Sequence, residues 1–145
     1  MNHHIDSENY LQTLLKNGQL ISYTHKGGNN ILLDKKIFRH IIFNLVANAI
    51  KFSDEDQTIE IYSELNTNNA QFIVKDKGIG ISEEDQKHLF ERFFRAHNAT
   101  NIQGTGLGLN IVKKYTDLLN GQIDLESKLN EGTTFIVNIP SLILT

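Results

Sequence analysis

The stretch Asp34-Lys35-Lys36-Ile37-Phe38-Arg39-His40-Ile41-Ile42-Phe43-Asn44-Leu45-Val46-Ala47-Asn48-Ala49-Ile50-Lys51-Phe52-Ser53 decides how this chain folds. Ile37, Phe38, Ile41, Ile42, Leu45, Val46, Ala49 and Ile50 fall in adjacent pairs every four residues, the signature of one apolar helical face. The pattern predicts an amphipathic helix from Asp34 to about Ser53. Asn44, Asn48 and Lys51, at i, i+4 and i+7, form a polar stripe about 110° from the centre of that face, at the border of the core. An amide oxygen is a hard neutral ligand suited to Mg²⁺ carrying waters and phosphate oxygens, and an ammonium answers phosphate as a point charge. The same residues also suit a plain solvated helix edge, and spacing alone leaves both readings open. Two asparagines in mid-helix do run against local propensity.

Around this helix the chain reads as short alternating elements. Ser7 to Lys16 predicts a short helix, with Tyr10, Leu11, Leu14 and Leu15 on one face. Leu20 to Thr24 and Asn30 to Leu33 read as strands separated by Gly27-Gly28-Asn29. Thr58 to Leu65 and Ala70 to Asp76 read as a hairpin across Asn66-Thr67-Asn68-Asn69. Ser82 with Glu83 and Glu84 supplies a cap and an acidic first turn for a helix to about Phe94, followed by a polar loop from His97 to Gly104. A further helix spans about Gly108 to Leu119, ended by Asn120-Gly121. Two last strands lie near Gln122 to Ser127 and Thr133 to Ile139. Strand pairs interleaved with helices favour a two-layer α/β sandwich, a mixed sheet covered on one face by helices, over a doubly wound parallel sheet.

The 145 residues suit one domain with one core, and neither a linker nor an internal repeat interrupts them. Cysteine is absent, which excludes a disulfide framework, a thiolate nucleophile and a cysteine-based zinc site. The six histidines show no metal-ligand spacing. A net charge of -3 argues against nucleic acid as a partner and against a polybasic membrane contact. No stretch approaches the ~20 apolar residues of a membrane span, so the chain reads as a soluble domain.

Two further segments carry chemistry. On the strand ending at Asp76, Phe72, Val74 and Asp76 share a face, so this carboxylate points where two large apolar side chains point. Lys77-Gly78-Ile79-Gly80-Ile81 follows, with glycines that permit backbone close to a ligand. A partly buried carboxylate here would accept from the exocyclic amine of adenine and disfavour guanine, which presents a carbonyl at that position. A turn aspartate after a strand is the plain alternative. Gly104-Thr105-Gly106-Leu107-Gly108-Leu109 precedes a helix, whose free N–H groups and dipole could cradle a triphosphate. It is neither a Rossmann fingerprint, since no strand precedes it, nor a Walker-type loop. Leu89-Phe90-Glu91-Arg92-Phe93-Phe94-Arg95, taken alone, reads as core packing.

In fixed order these segments resemble the boxes of sensor histidine kinases. Asn44 to Ser53 resembles the N box, Asp76 to Ile81 the G1 box, Leu89 to Ala96 the F box, Gly104 to Leu109 the G2 box and Gly132 to Phe135 the closing turn. The resemblance covers about Leu20 to Pro140. It implies the Bergerat ATP-binding sandwich, also found in gyrase, MutL and a heat-shock chaperone family, and the cofactors ATP and Mg²⁺. Carried over, Asn48 holds Mg²⁺ with Asn44 beside it, Lys51 meets the phosphates and Phe52 borders adenine. Asn48 and Lys51 become the residues of catalysis. Asp76 takes the adenine amine, and Gly78 and Gly80 let the backbone pass the base. Gly104, Thr105, Gly106, Leu107 and Gly108 frame the phosphates under a lid at Asn98 to Gln103, and Thr134 sits near Asp76.

The family's phosphoacceptor segment, a His-Glu or His-Asp followed shortly by proline, has no match. His3-His4-Ile5-Asp6 lacks the proline. Residues 1–145 therefore resemble the catalytic ATP-binding half alone. Its implied partners are the dimerisation domain bearing the histidine and a response regulator downstream, with no nucleic acid and no direct membrane contact. The implied location is cytoplasmic, with anchoring of the parent protein open. The rivals are a gyrase- or MutL-class ATPase, an anti-sigma-factor-type serine kinase, and a module that binds a partner without nucleotide. The first is disfavoured because Asn44 stands where such a hydrolase carries a general-base glutamate.

Overall fold

The computed structural model describes residues 11–28, 31–32, 34–96, 108–140 and 142–143. Strands β1 (Leu20–Gly27) and β2 (Ile31–Leu32) lead into helix α1 (Lys35–Phe52), then the hairpin β3 (Thr58–Leu65) and β4 (Asn69–Asp76). A single helical turn α2 (Glu83–Gln86), helix α3 (Gly108–Leu118), β5 (Gln122–Lys128), β6 (Gly132–Pro140) and β7 (Leu142–Ile143) complete it. Residues 11–14 are helical, Leu15 and Lys16 of the expected first helix are not, and its part before residue 11 lies outside the described residues.

Five strands form one mixed sheet in the order β1-β3-β4-β6-β5, with β1 parallel to β3 and every other pairing antiparallel. The side chains of Ile59, Leu65, Ala70, Phe72, Val74, Ile123, Phe135, Val137 and Ile139 point to one face and are buried. Ile41, Leu45, Val46, Ala49 and Ile50 of α1 and Val112 of α3 join them in a single core. The predicted apolar stripe of α1 is thus the stripe that lies on the sheet, and the expected two-layer α/β sandwich is the fold. Asp34 starts α1 by accepting from the N–H groups of Lys36 (3.0 Å) and Ile37 (3.1 Å).

Two segments depart from expectation. Strand β1 extends past the expected Thr24 to Gly27 and pairs with β3, while β2 pairs with β7, a strand the sequence did not reveal. The helix from Ser82 to about Phe94 is one turn long. After it the backbone closes i to i−3 bonds, from Leu89 to Gln86, Glu91 to His88 and Phe94 to Glu91. Phe93 then adopts φ 65°, which no α-helix accommodates, and the residue is 60% exposed, with the Arg92 guanidinium 4.9 Å from its ring centroid. The tight turns bury Leu89 and half-bury Phe90 and Phe94, whose apolar spacing imitated a helix.

Candidate functional site

Asp76 ends β4 on the inward face, in register with Thr133 of β6, and is 7% exposed. Burial pushes its carboxyl up to about 6, offset in part by backbone hydrogen bonds from Gly78 and Thr133. The Gly78 N–H donates to Asp76 Oδ1 at 2.8 Å. Gly78 has no room for a side chain: a Cβ there would lie 2.2 Å from the Phe52 carbonyl oxygen. The Ile79 N–H donates to that same carbonyl at 3.2 Å, so the loop after Asp76 is fastened to the end of α1.

The other side of the loop is fastened to the β5–β6 turn. Gly80, at φ 70°, sits where a Cβ would fall 1.9 Å from the Lys128 carbonyl oxygen, and the Asn130 N–H donates to Ile79 O at 2.8 Å. Ser127 Oγ accepts from the Ile81 N–H at 2.8 Å, donates to Gly132 O at 2.8 Å and lies 2.8 Å from Thr133 Oγ1. The carboxylate of Asp76 is thereby held in a polar corner bounded by the β5–β6 turn and the C-terminal carbonyl of α1 at half-buried Phe52.

At the other end, the Asn44 amide nitrogen donates to His40 O at 2.7 Å, which turns Oδ1 away from its own helix. Gly108, the first residue of α3, faces both asparagines: its Cβ position lies 3.6 Å from Asn44 Oδ1 and 4.0 Å from Asn48 Nδ2. Helix α3 thus presents its positive end beside two amides. Lys51 is exposed one turn further along α1. Asn110 ties α3 to the segment after α2 by donating to Phe90 O at 3.1 Å. Among the described residues no three His, Cys, Asp or Glu side chains cluster to hold a metal ion. The asparagine amides instead suit Mg²⁺ that brings phosphate oxygens and waters as its remaining ligands.

The fold gathers Asn44, Asn48 and Gly108 along the second half of α1, and Phe52, Asp76 and Gly78 at its C-terminal end, with Lys51 next to Phe52 and Gly80 further along the same loop against Lys128. Gly104, Thr105, Gly106, Leu107 and the lid from Asn98 to Gln103 lie outside the described residues. Thr134 is a correction: it pairs with Lys75, on the outward face, and Thr133 is the threonine beside Asp76. The alternation of Thr133 with Phe135, Val137 and Ile139 carried that information. Ser127, Asn110 and Gln19 were missed because their partners are distant in sequence.

The family model for histidine kinase-, DNA gyrase B- and HSP90-like ATPases matches residues 33–143. The chain belongs to this ATPase family. Among its relatives is the sensor protein CiaH of Streptococcus pneumoniae, 32% identical over 133 residues, covering 90% of this chain and 30% of CiaH. The catalytic domain of the histidine kinase ThkA, solved free of nucleotide, superposes with a TM-score of 0.71 at 30% identity, covering 94% of this chain and 86% of that one. The full-length ShkA structure in complex with AMPPNP shares the fold, with a TM-score of 0.79 at 22% identity, covering 100% of this chain and 31% of ShkA. The chain spans about 30% of the length of CiaH, so it corresponds to one part of such a sensor protein. Within the family it is an ATPase domain of the sensor histidine kinase type.

Proposed function

We propose that the cleft between α1 and the 76–80 loop binds Mg–ATP, and that residues 1–145 form the phosphoryl-donor half of a sensor histidine kinase. The observation that carries this is a buried carboxylate, Asp76, whose Gly78 partner packs against the C-terminal end of α1, on the same helix whose Asn44 and Asn48 face the start of α3. Asp76 accepts from the exocyclic amine of adenine, and Phe52 borders the ring. Asn48 holds the metal with Asn44 beside it, Lys51 meets the phosphates, and Gly104 to Gly108 frame them. The bound metal supplies charge neutralisation at the γ-phosphate.

Transfer needs an in-line nucleophile, which the proposed partner supplies as a histidine on a dimerisation domain, with a response regulator downstream. The neutral amide of Asn44 cannot take a proton from water, which disfavours an autonomous gyrase-class hydrolase. Titration with ATP, GTP and ADP, with and without Mg²⁺, tests the reading. ATP should bind with Mg²⁺-dependent affinity and GTP far more weakly; equal affinity for the two purines would refute the role of Asp76.

A further inference from the structure

The last carbonyls of a helix lack intrahelical donors, and many helices satisfy them with a left-handed residue just beyond the end. Helix α1 does not: Ser53 is extended at φ −100° and ψ 153°. The donors come from a distant turn instead. Gln19 Nε2 lies 3.2 Å from Ile50 O, 3.2 Å from Ser53 O and 3.1 Å from Asp54 O. Lys16 Nζ donates to Lys51 O at 3.0 Å and also to Ser53 O. Its positive charge at this end also complements the helix dipole.

The turn is built to hold that pose. Gln19 is buried, and its Oε1 accepts from the Lys16 N–H at 2.8 Å, so only the amide nitrogen can face the helix. The Gln19 N–H donates to Lys16 O at 3.0 Å, and the Asp56 N–H to Asn17 O at 3.0 Å. Gly18, at φ 77°, fits against Asp56 so closely that a Cβ would lie 1.8 Å from its Oδ1. Phe52 O is held separately, by Ile79 on the Asp76 side. The final turn of α1 is therefore gripped from two directions, one serving the base end and one the Lys51 end.

We infer that Lys16 and Gln19 are positioning residues for the phosphate end of the site, a latch that sets Lys51 by holding the terminal carbonyls of α1. This rests on the nucleotide reading of the cleft. The latch also joins the helical residues 11–14 to the nucleotide site, so that displacement of those residues and grip on the phosphates become linked.

The test compares ATP with adenosine, by amide NMR titration in Mg²⁺, for the full chain and for Gln19→Leu, Gln19→Glu, Lys16→Met and Lys16→Arg. Latch loss should weaken ATP about tenfold in Gln19→Leu and more in Gln19→Glu, which sets a carboxylate against carbonyls, while adenosine binding changes less than about twofold. Lys16→Met should lose part of the ATP affinity and Lys16→Arg should retain it. Lys16 is exposed, so these two variants keep the test valid if a Gln19 variant fails to fold. ATP affinity unchanged in folded variants, or ATP and adenosine weakened in proportion, would overturn the inference. Failure of the unaltered chain to bind ATP would overturn the nucleotide reading as well.

Discussion

Asp76 concentrates the chemistry of this site because it is a carboxylate with little water and two backbone donors. Asp76→Asn keeps the shape and removes the charged acceptor, so ATP affinity should fall roughly ten- to hundred-fold by calorimetry. Its pH dependence has a definite sign. The folded-state value, about 6, lies above the ordinary 3.8, so the protonated form is the one folding favours. Stability from this group is full below pH 3.8 and is lost as pH rises through 6, by about 2–3 kcal/mol. Urea unfolding should show this decline in the unaltered chain relative to Asp76→Asn. Nucleotide affinity should run the other way, falling up to about tenfold per pH unit below 6, because adenine's amine needs the ionised acceptor. Asn48→Ala should leave base recognition intact, remove the Mg²⁺ dependence of ATP binding and reduce transfer to a supplied histidine-bearing domain by about 10²-fold or more, read by phosphotransfer assay. At this scale the sequence placed Asp76 well, since strand alternation with Phe72 and Val74 aims it inward. The same alternation should have directed attention to Thr133 in place of Thr134.

Among the elements, α1 was the most legible: its apolar pairs, its Asp34 cap and its polar stripe all belong to one continuous segment. The segment after Ser82 was not, because Leu89, Phe90, Phe93 and Phe94 have a spacing that fits either a helix or successive tight turns. Only packing chooses between them, and it turns Phe93 outward. The loop 77–81 is likewise defined by its clamps at Phe52 and at the β5–β6 turn. Gly80→Ala tests those clamps. Its positive φ and the Lys128 carbonyl oxygen leave no place for a methyl group, so the variant should lose about 1–3 kcal/mol of stability in urea unfolding and bind ATP more weakly.

For the molecule as a whole, the proposed function separates holding a phosphoryl group from accepting one. Residues 1–145 should bind Mg–ATP yet release phosphate or phosphorylate themselves at a negligible rate, and a histidine-bearing dimerisation domain added in trans should restore transfer in a radiolabel assay. Rapid self-phosphorylation would contradict the division. The sandwich, the long helix, the inward carboxylate and the family were all legible along the chain, because each rests on local periodicity or on motifs a few residues long. The parallel seat of β1 on β3, the pairing of β2 with β7 and the grip of Lys16 and Gln19 on α1 come from tertiary structure. Those features join residues tens of positions apart: the strand pairings use backbone hydrogen bonds that place almost no requirement on side-chain identity, and the grip on α1 uses two side chains whose backbone partners no local pattern marks.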